Sequence, residues 1–131
     1  IPVVLLQVYI PLFLGYVVVA ERYVVDSIAS IAYFLGDERF TSTSMARFLL
    51  TFIPKGTLFV FVDADYRTIL SRRGKWAGPP NYTEFHRRVY VVLSKMVGAV
   101  HVDTSKLSIQ QAHQKILNSI VTSRSLSERI L

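Results

Sequence analysis

The sequence predicts an α/β fold built on a parallel sheet with helices on both faces. Three observations predict it. Tyr16 to Ala20, Thr57 to Val62 and Ala99 to Val102 are short, nearly continuous apolar runs rich in β-branched residues, as strands buried on both faces are. Each run ends in a charged or polar cluster: Glu21-Arg22, Asp63-Ala64-Asp65 and Asp103-Thr104-Ser105-Lys106. Between the runs, apolar residues recur at spacings of three and four, the helical period. Alternating strands and helices point to parallel pairing, and open parallel sheets gather their chemistry at the carboxyl ends of the strands.

The first element is a helix over Val3 to Leu14. Residues 1–20 carry no charge, so by length this is also a membrane-span candidate. Pro2, Pro11 and Gly15 interrupt it, which favours two buried elements, an apolar helix and then the strand from Tyr16. Elements apolar all round belong in the middle of a domain.

Val25, Ile28, Ala29, Ala32 and Tyr33 mark a second helix, stopped by Gly36. Residues 37–42 are loop-like, and Ser42 or Ser44 is placed to cap a helix carrying Met45, Phe48, Leu49 and Phe52. Pro54-Lys55-Gly56 turns into the second strand, and Asp65 is placed as the N-cap of a short helix from Tyr66 to Arg73, closed by Gly74. Lys75 to Asn81 reads as a basic loop. Thr83 is expected to cap a long helix whose apolar face is Phe85, Val89, Val92, Leu93 and Met96, ended by Gly98. After the third strand, Ser108 caps a last helix with Ile109, Ala112, Ile116, Leu117 and Ile120. Residues 1–122 form a single domain on this reading, and residues 123–131 a polar tail.

Composition narrows the function classes. Half the residues (51%) are hydrophobic, 18% are charged and mean hydropathy is +0.37, which demands a large packed interior. The net charge of +6 and pI near 9.8 suit an anionic ligand. With no cysteine, disulfides, thiol catalysis and cysteine-bound zinc are excluded, and a cytoplasmic setting fits. The chain starts at Ile1 with no basic segment ahead of its apolar run and no clean small-residue cleavage site, which argues against a signal peptide.

In a parallel sheet the three polar strand ends share one edge. The basic, glycine-bearing stretch Arg72-Arg73-Gly74-Lys75 falls between the second and third of them. A basic loop over carboxylates at such an edge suits phosphoryl transfer under a closing lid. Plainer roles compete for the same residues. Arg72, Arg73 and Lys75 also suit a helix carboxyl end, Asp63 and Asp65 a strand end and a helix cap, and Arg87 and Arg88 a solvated face. His86, His101 and His113 lie on separate elements without metal-ligand spacing.

Taken together, Val17 to Tyr23, Leu58 to Asp63, Tyr66 to Gly74, Glu84 to Tyr90 and His101 to Lys106 with Ile109 and His113 resemble the C-terminal two-thirds of a thymidylate kinase, a P-loop nucleoside monophosphate kinase. The resemblance spans nearly the whole chain in order. It implies a P-loop NTPase-like three-layer sandwich, N-terminally incomplete, with a lid over residues 72–82. It implies ATP and magnesium (Mg2+) as cofactors, nucleotide substrates, a homodimer using residues 1–14 and the helix from Val24, and neither nucleic acid nor membrane as partner.

The resemblance also implies roles. Arg22 grips the acceptor phosphate; Glu21, where the family usually has Asp, orients Arg22 or helps place magnesium indirectly; Tyr23 walls the acceptor site and Tyr82 reaches it. Arg72 and Arg73 approach ATP from the lid, with Arg73 catalytic, and Thr104, Ser105 and Lys106 line the adenine pocket. No Gly-x-x-x-x-Gly-Lys-Ser/Thr loop occurs. In the resembled family that loop precedes the part matched here, so upstream sequence is expected, and these residues alone are not expected to catalyse transfer.

The leading expectation is a kinase converting dTMP and ATP to dTDP and ADP. A deoxynucleoside kinase, with Glu21 accepting a proton from the sugar hydroxyl, is the second reading. A non-catalytic nucleotide-binding or dimerising remnant is the third, and a membrane-anchored protein the fourth.

Overall fold

The computed structural model describes residues 2–128 of the chain. The order is α1 (Pro2–Phe13), α2 (Val24–Leu35), a 3-10 turn (Glu38–Ser42), α3 (Ser44–Leu50), β1 (Val60–Asp63), α4 (Tyr66–Arg73), a second 3-10 turn (Gly74–Ala77), α5 (Pro80–Met96), β2 (Val100–Asp103) and α6 (Ile109–Glu128). The fold is mixed α/β, mostly helical, with one two-stranded parallel sheet among the described residues. The chain divides after Thr57 into two compact units. The single domain expected over residues 1–122 thus comprises unit 1 and most of unit 2, and α6 runs past residue 122 to Glu128; residues 129–131 of the expected tail lie outside the described residues.

In unit 1, α2 supplies the core. Val24, Ile28, Ala29 and Ala32 recur at helical spacing and are buried, and so are Ala46 and Leu49 of α3. Small alanines let the helix backbones approach closely. Gly36 ends α2 in a Schellman arrangement: its N–H donates to the Tyr33 carbonyl and that of Asp37 to the Ala32 carbonyl. Thr43 is the cap of α3, accepting from the Ala46 N–H, in place of the expected Ser42 or Ser44.

Two expectations for unit 1 are corrected. α1 forms where the sequence placed a helix, and it continues through Pro11, at the cost of one N–H donor from its hydrogen-bond ladder. It is nevertheless not a core helix: Val8 is buried, while Leu6, Ile10 and Phe13 are exposed. The strand expected at Tyr16 is absent as well. Residues 16–20 form no strand, no hydrogen bond engages the backbone of Val17 to Ala20 among the described residues, and Val19 is 95% exposed. A strand needs a neighbour to satisfy its donors and acceptors, and unit 1 contains no other strand.

In unit 2, β1 and β2 pair in parallel with Val60 opposite Val100 and Asp63 opposite Asp103. β1 starts later than expected and takes Asp63 into the strand. The crossover runs through α4 and α5, as parallel pairing requires. Val102, Val89 and Leu93 form the buried centre. Phe61 stacks on His101 at 5.2 Å and lies 5.9 Å from Tyr90. Asp65 caps α4 as expected, its carboxylate accepting from the Thr68 N–H at 2.7 Å. Ser108 and Gln111 form a reciprocal capping box on α6. α5 begins at Pro80, not at a Thr83 cap; the Thr83 hydroxyl instead donates to the Ala77 carbonyl at 3.2 Å.

Candidate functional site

The parallel register brings Asp63 and Asp103 side by side at the carboxyl ends of β1 and β2. Asp63 is buried, 4% exposed, which demands partners for its charge. Arg87 provides a fork: Nε–H donates to Oδ1 at 2.7 Å and Nη2–H to Oδ2 at 3.0 Å. His101 Nε2 lies 3.0 Å from Oδ2, and since an ionised carboxylate only accepts, this nitrogen carries the proton. Burial pushes the Asp63 carboxyl up, but the hydrogen bonds and charges of Arg87 and His101 outweigh it and hold the group below its ordinary value. Sequence reasoning placed Arg87 on a solvated face; it is instead the buried carboxylate's main partner. The available signal was an arginine on a crossover helix able to reach a strand-end aspartate.

The next residues build a rigid loop. Thr104 donates its hydroxyl and its N–H to the Asp63 carbonyl, at 2.9 and 2.8 Å. Asp103 accepts from the Ser105 N–H at 3.0 Å and pairs with Lys106 Nζ at 3.3 Å. The Ser105 N–H bond, foremost, and the Lys106 ammonium hold the Asp103 carboxyl below the usual range. Ser105 Oγ accepts from the Asp65 N–H at 2.7 Å. Arg72, at the end of α4, then clasps this loop: Nη1–H donates to Thr104 Oγ1 at 3.0 Å and Nη2–H to the Thr104 carbonyl at 2.8 Å. Four of the expected ATP-side residues, Arg72, Thr104, Ser105 and Lys106, are therefore brought together.

The others are placed as follows. Arg73 is the last residue of α4 and is exposed. Tyr82 lies in the first turns of α5, its ring 4.1 Å from that of His86, whose Nδ1–H donates to the Tyr82 carbonyl at 2.9 Å. The expected lid, residues 72–82, is structured: the Tyr66 hydroxyl donates to the Gly78 carbonyl at 3.2 Å, next to the Thr83–Ala77 bond.

Glu21, Arg22 and Tyr23 lie in unit 1 at the end of the unpaired segment 16–20, not at a sheet edge. Arg22 adopts a left-handed backbone, φ 53°, the one non-glycine residue among those described to do so. Its guanidinium is mostly exposed, with loose ion pairs to Glu21 at 3.8 Å and Asp26 at 4.0 Å. The Tyr23 hydroxyl is not open to a ligand: it donates to the Phe52 carbonyl at 3.2 Å, as does that of Tyr9. Burial, and secondarily the neighbouring Tyr9, push the Tyr23 phenol up.

An open trough of about 770 Å³ lies at the other end of the sheet, between Leu58, Val100 and the polar side of α6 at Gln111, Lys115 and Asn118. It is remote from the strand carboxyl ends. Among the described residues no three His, Asp or Glu side chains gather to hold a metal, and both Asp63 oxygens are already engaged. With Arg87 on both of its oxygens, the Asp63 carboxylate is not free to take a magnesium ion. No helix among them is long and apolar enough to cross a membrane. Comparison with protein families, with curated proteins and with solved structures returns no match.

Proposed function

We propose that the chain carries nucleotide-binding elements of a nucleoside monophosphate kinase of the thymidylate kinase type, in which ATP phosphorylates dTMP, on a P-loop-kinase-like α/β fold. The supporting observation is the Arg72 clasp on the Thr104–Lys106 loop, at the carboxyl ends of two adjacent parallel strands. That is where open α/β sheets bind ligands. In this reading Thr104, Ser105 and Lys106 receive the adenine, Arg72 orders their loop, and the exposed Arg73 meets phosphate charge. In unit 1, Arg22 receives the acceptor phosphate, with Glu21 orienting it and Tyr23 acting as a packed support. The left-handed backbone at Arg22 supports its role, since a non-glycine residue held there costs about 1 kcal/mol and such strain collects at working residues.

Transfer itself needs a phosphate-cradling loop, a motif these 131 residues do not contain. Magnesium enters only with the nucleotide phosphates, and no step is assigned to it. Calorimetry on the chain tests the reading. ATP is expected to bind and Arg72→Ala to weaken it about tenfold, the value of one or two charge-assisted bonds. Binding of dTMP is expected to be lost in Arg22→Ala. A chain that binds neither nucleotide overturns the proposal.

A further inference from the structure

The single tryptophan of the chain, Trp76, lies in the 3-10 turn Gly74–Ala77 and is 77% exposed. An indole is the largest apolar side chain, and leaving it in water forfeits its burial energy. The turn that presents it is built with care. Gly74 has φ 54° and ψ −128°, and Gly78 has φ 77° and ψ 173°. Both lie in regions open essentially to glycine alone. A Cβ at Gly74 would meet nothing, and one at Gly78 only the Thr83 hydroxyl at 3.8 Å, so backbone conformation and not crowding requires glycine. Beyond the turn, Tyr66 holds the Gly78 carbonyl and Thr83 the Ala77 carbonyl. Trp76 is thus exposed on a fastened platform, not on a slack loop.

Its surroundings are cationic. Lys75 Nζ sits 5.4 Å from the indole centroid, a cation–π distance. Arg72 and Arg73 precede it, and Arg72 is bound to the Thr104 loop. A flat aromatic surface among cations suits a flat ligand with an anionic tail, which is a nucleotide.

We infer that Trp76 is a base-stacking residue for the nucleoside triphosphate donor, presented by the Gly74–Gly78 turn, with the neighbouring cations facing the phosphates. The inference rests on the proposed ATP site and adds a residue to it. It predicts that ATP quenches Trp76 fluorescence and shields it from acrylamide, whereas inorganic tripolyphosphate and dTMP do not. Trp76→Ala weakens ATP binding, measured by calorimetry, by about tenfold or more, and Trp76→Phe recovers most of it, as expected for stacking. Trp76→Ala leaves tripolyphosphate binding unchanged, and because the side chain is exposed its circular dichroism matches the parent. If ATP binds but Trp76→Ala binds it equally well, or if dTMP and not ATP quenches the indole, the stacking role falls and the ATP site stands. If calorimetry detects no ATP binding to the parent chain, both fall.

Discussion

At the residue scale, the Asp63–Arg87–His101 group decides how unit 2 responds to mutation and pH. Asp63 is buried and Arg87 only partly so, hence the two truncations are unequal. Asp63→Asn leaves a neutral amide facing a guanidinium that can turn toward water, and should cost about 2 kcal/mol in urea unfolding. Arg87→Leu strands a buried carboxylate and should cost more, about 3 kcal/mol. The pH dependence follows from the direction of the shift. Folding lowers the Asp63 pKa, so its ionised, paired form favours the folded state. That contribution is complete above the unfolded value, about 4, and is lost as pH falls through the lower folded-state value. Urea midpoints measured downward from neutral pH should therefore fall in acid. In Arg87→Leu the acid limb should flatten, because burial then opposes ionisation. An equally steep acid limb in that variant would refute the assignment.

At the element scale, local chemistry was legible and long-range partners were not. Asp65, Gly36, Gly98 and Ser108 mark helix boundaries by chemistry contained within a few residues, and all four act where the sequence puts them. β1 and β2 were readable from their apolar runs. The Arg87–Asp63 fork was not, because it joins residues on separate elements and helical periodicity assigns Arg87 only a face. The strand at Tyr16 failed for a complementary reason. Tyr-Val-Val-Val-Ala has every local strand preference, but pairing depends on a neighbour that unit 1 lacks. The Thr104–Lys106 cluster is legible as a polar strand end because its residues are consecutive, whereas its partners Asp63, Asp65 and Arg72 come from elsewhere in the chain. An exposed, uncharged, unpaired β-branched segment is also an aggregation hazard. Val17→Lys with Val19→Lys should reduce light scattering on concentration while changing the unfolding free energy by less than about 0.5 kcal/mol, as exposed positions allow.

At the scale of the whole molecule, the open question is how unit 1 manages its apolar surface. Leu6, Ile10 and Phe13 on α1, Phe34 and Leu35 at the end of α2, and Phe48 on α3 are all exposed, Phe13 at 91% and Phe34 at 86%. Scattered apolar residues are ordinary on a surface, but this density within one 57-residue unit is the composition of a buried interface. We propose that a second copy of the chain covers it, forming a homodimer through α1 and α2. Such an interface must bury on the order of 1,000 Å² or more to persist, which several large aromatic and aliphatic side chains can supply. Sedimentation equilibrium should then report a dimer for the parent chain. Phe34→Glu should shift it toward monomer, because the charge would be desolvated in the interface but remains hydrated in the free chain. The free chain already exposes Phe34, so circular dichroism of that variant should match the parent, which separates loss of association from loss of folding. A parent chain that sediments as a monomer at the highest soluble concentration would refute the dimer and leave the proposed nucleotide site of unit 2 untouched.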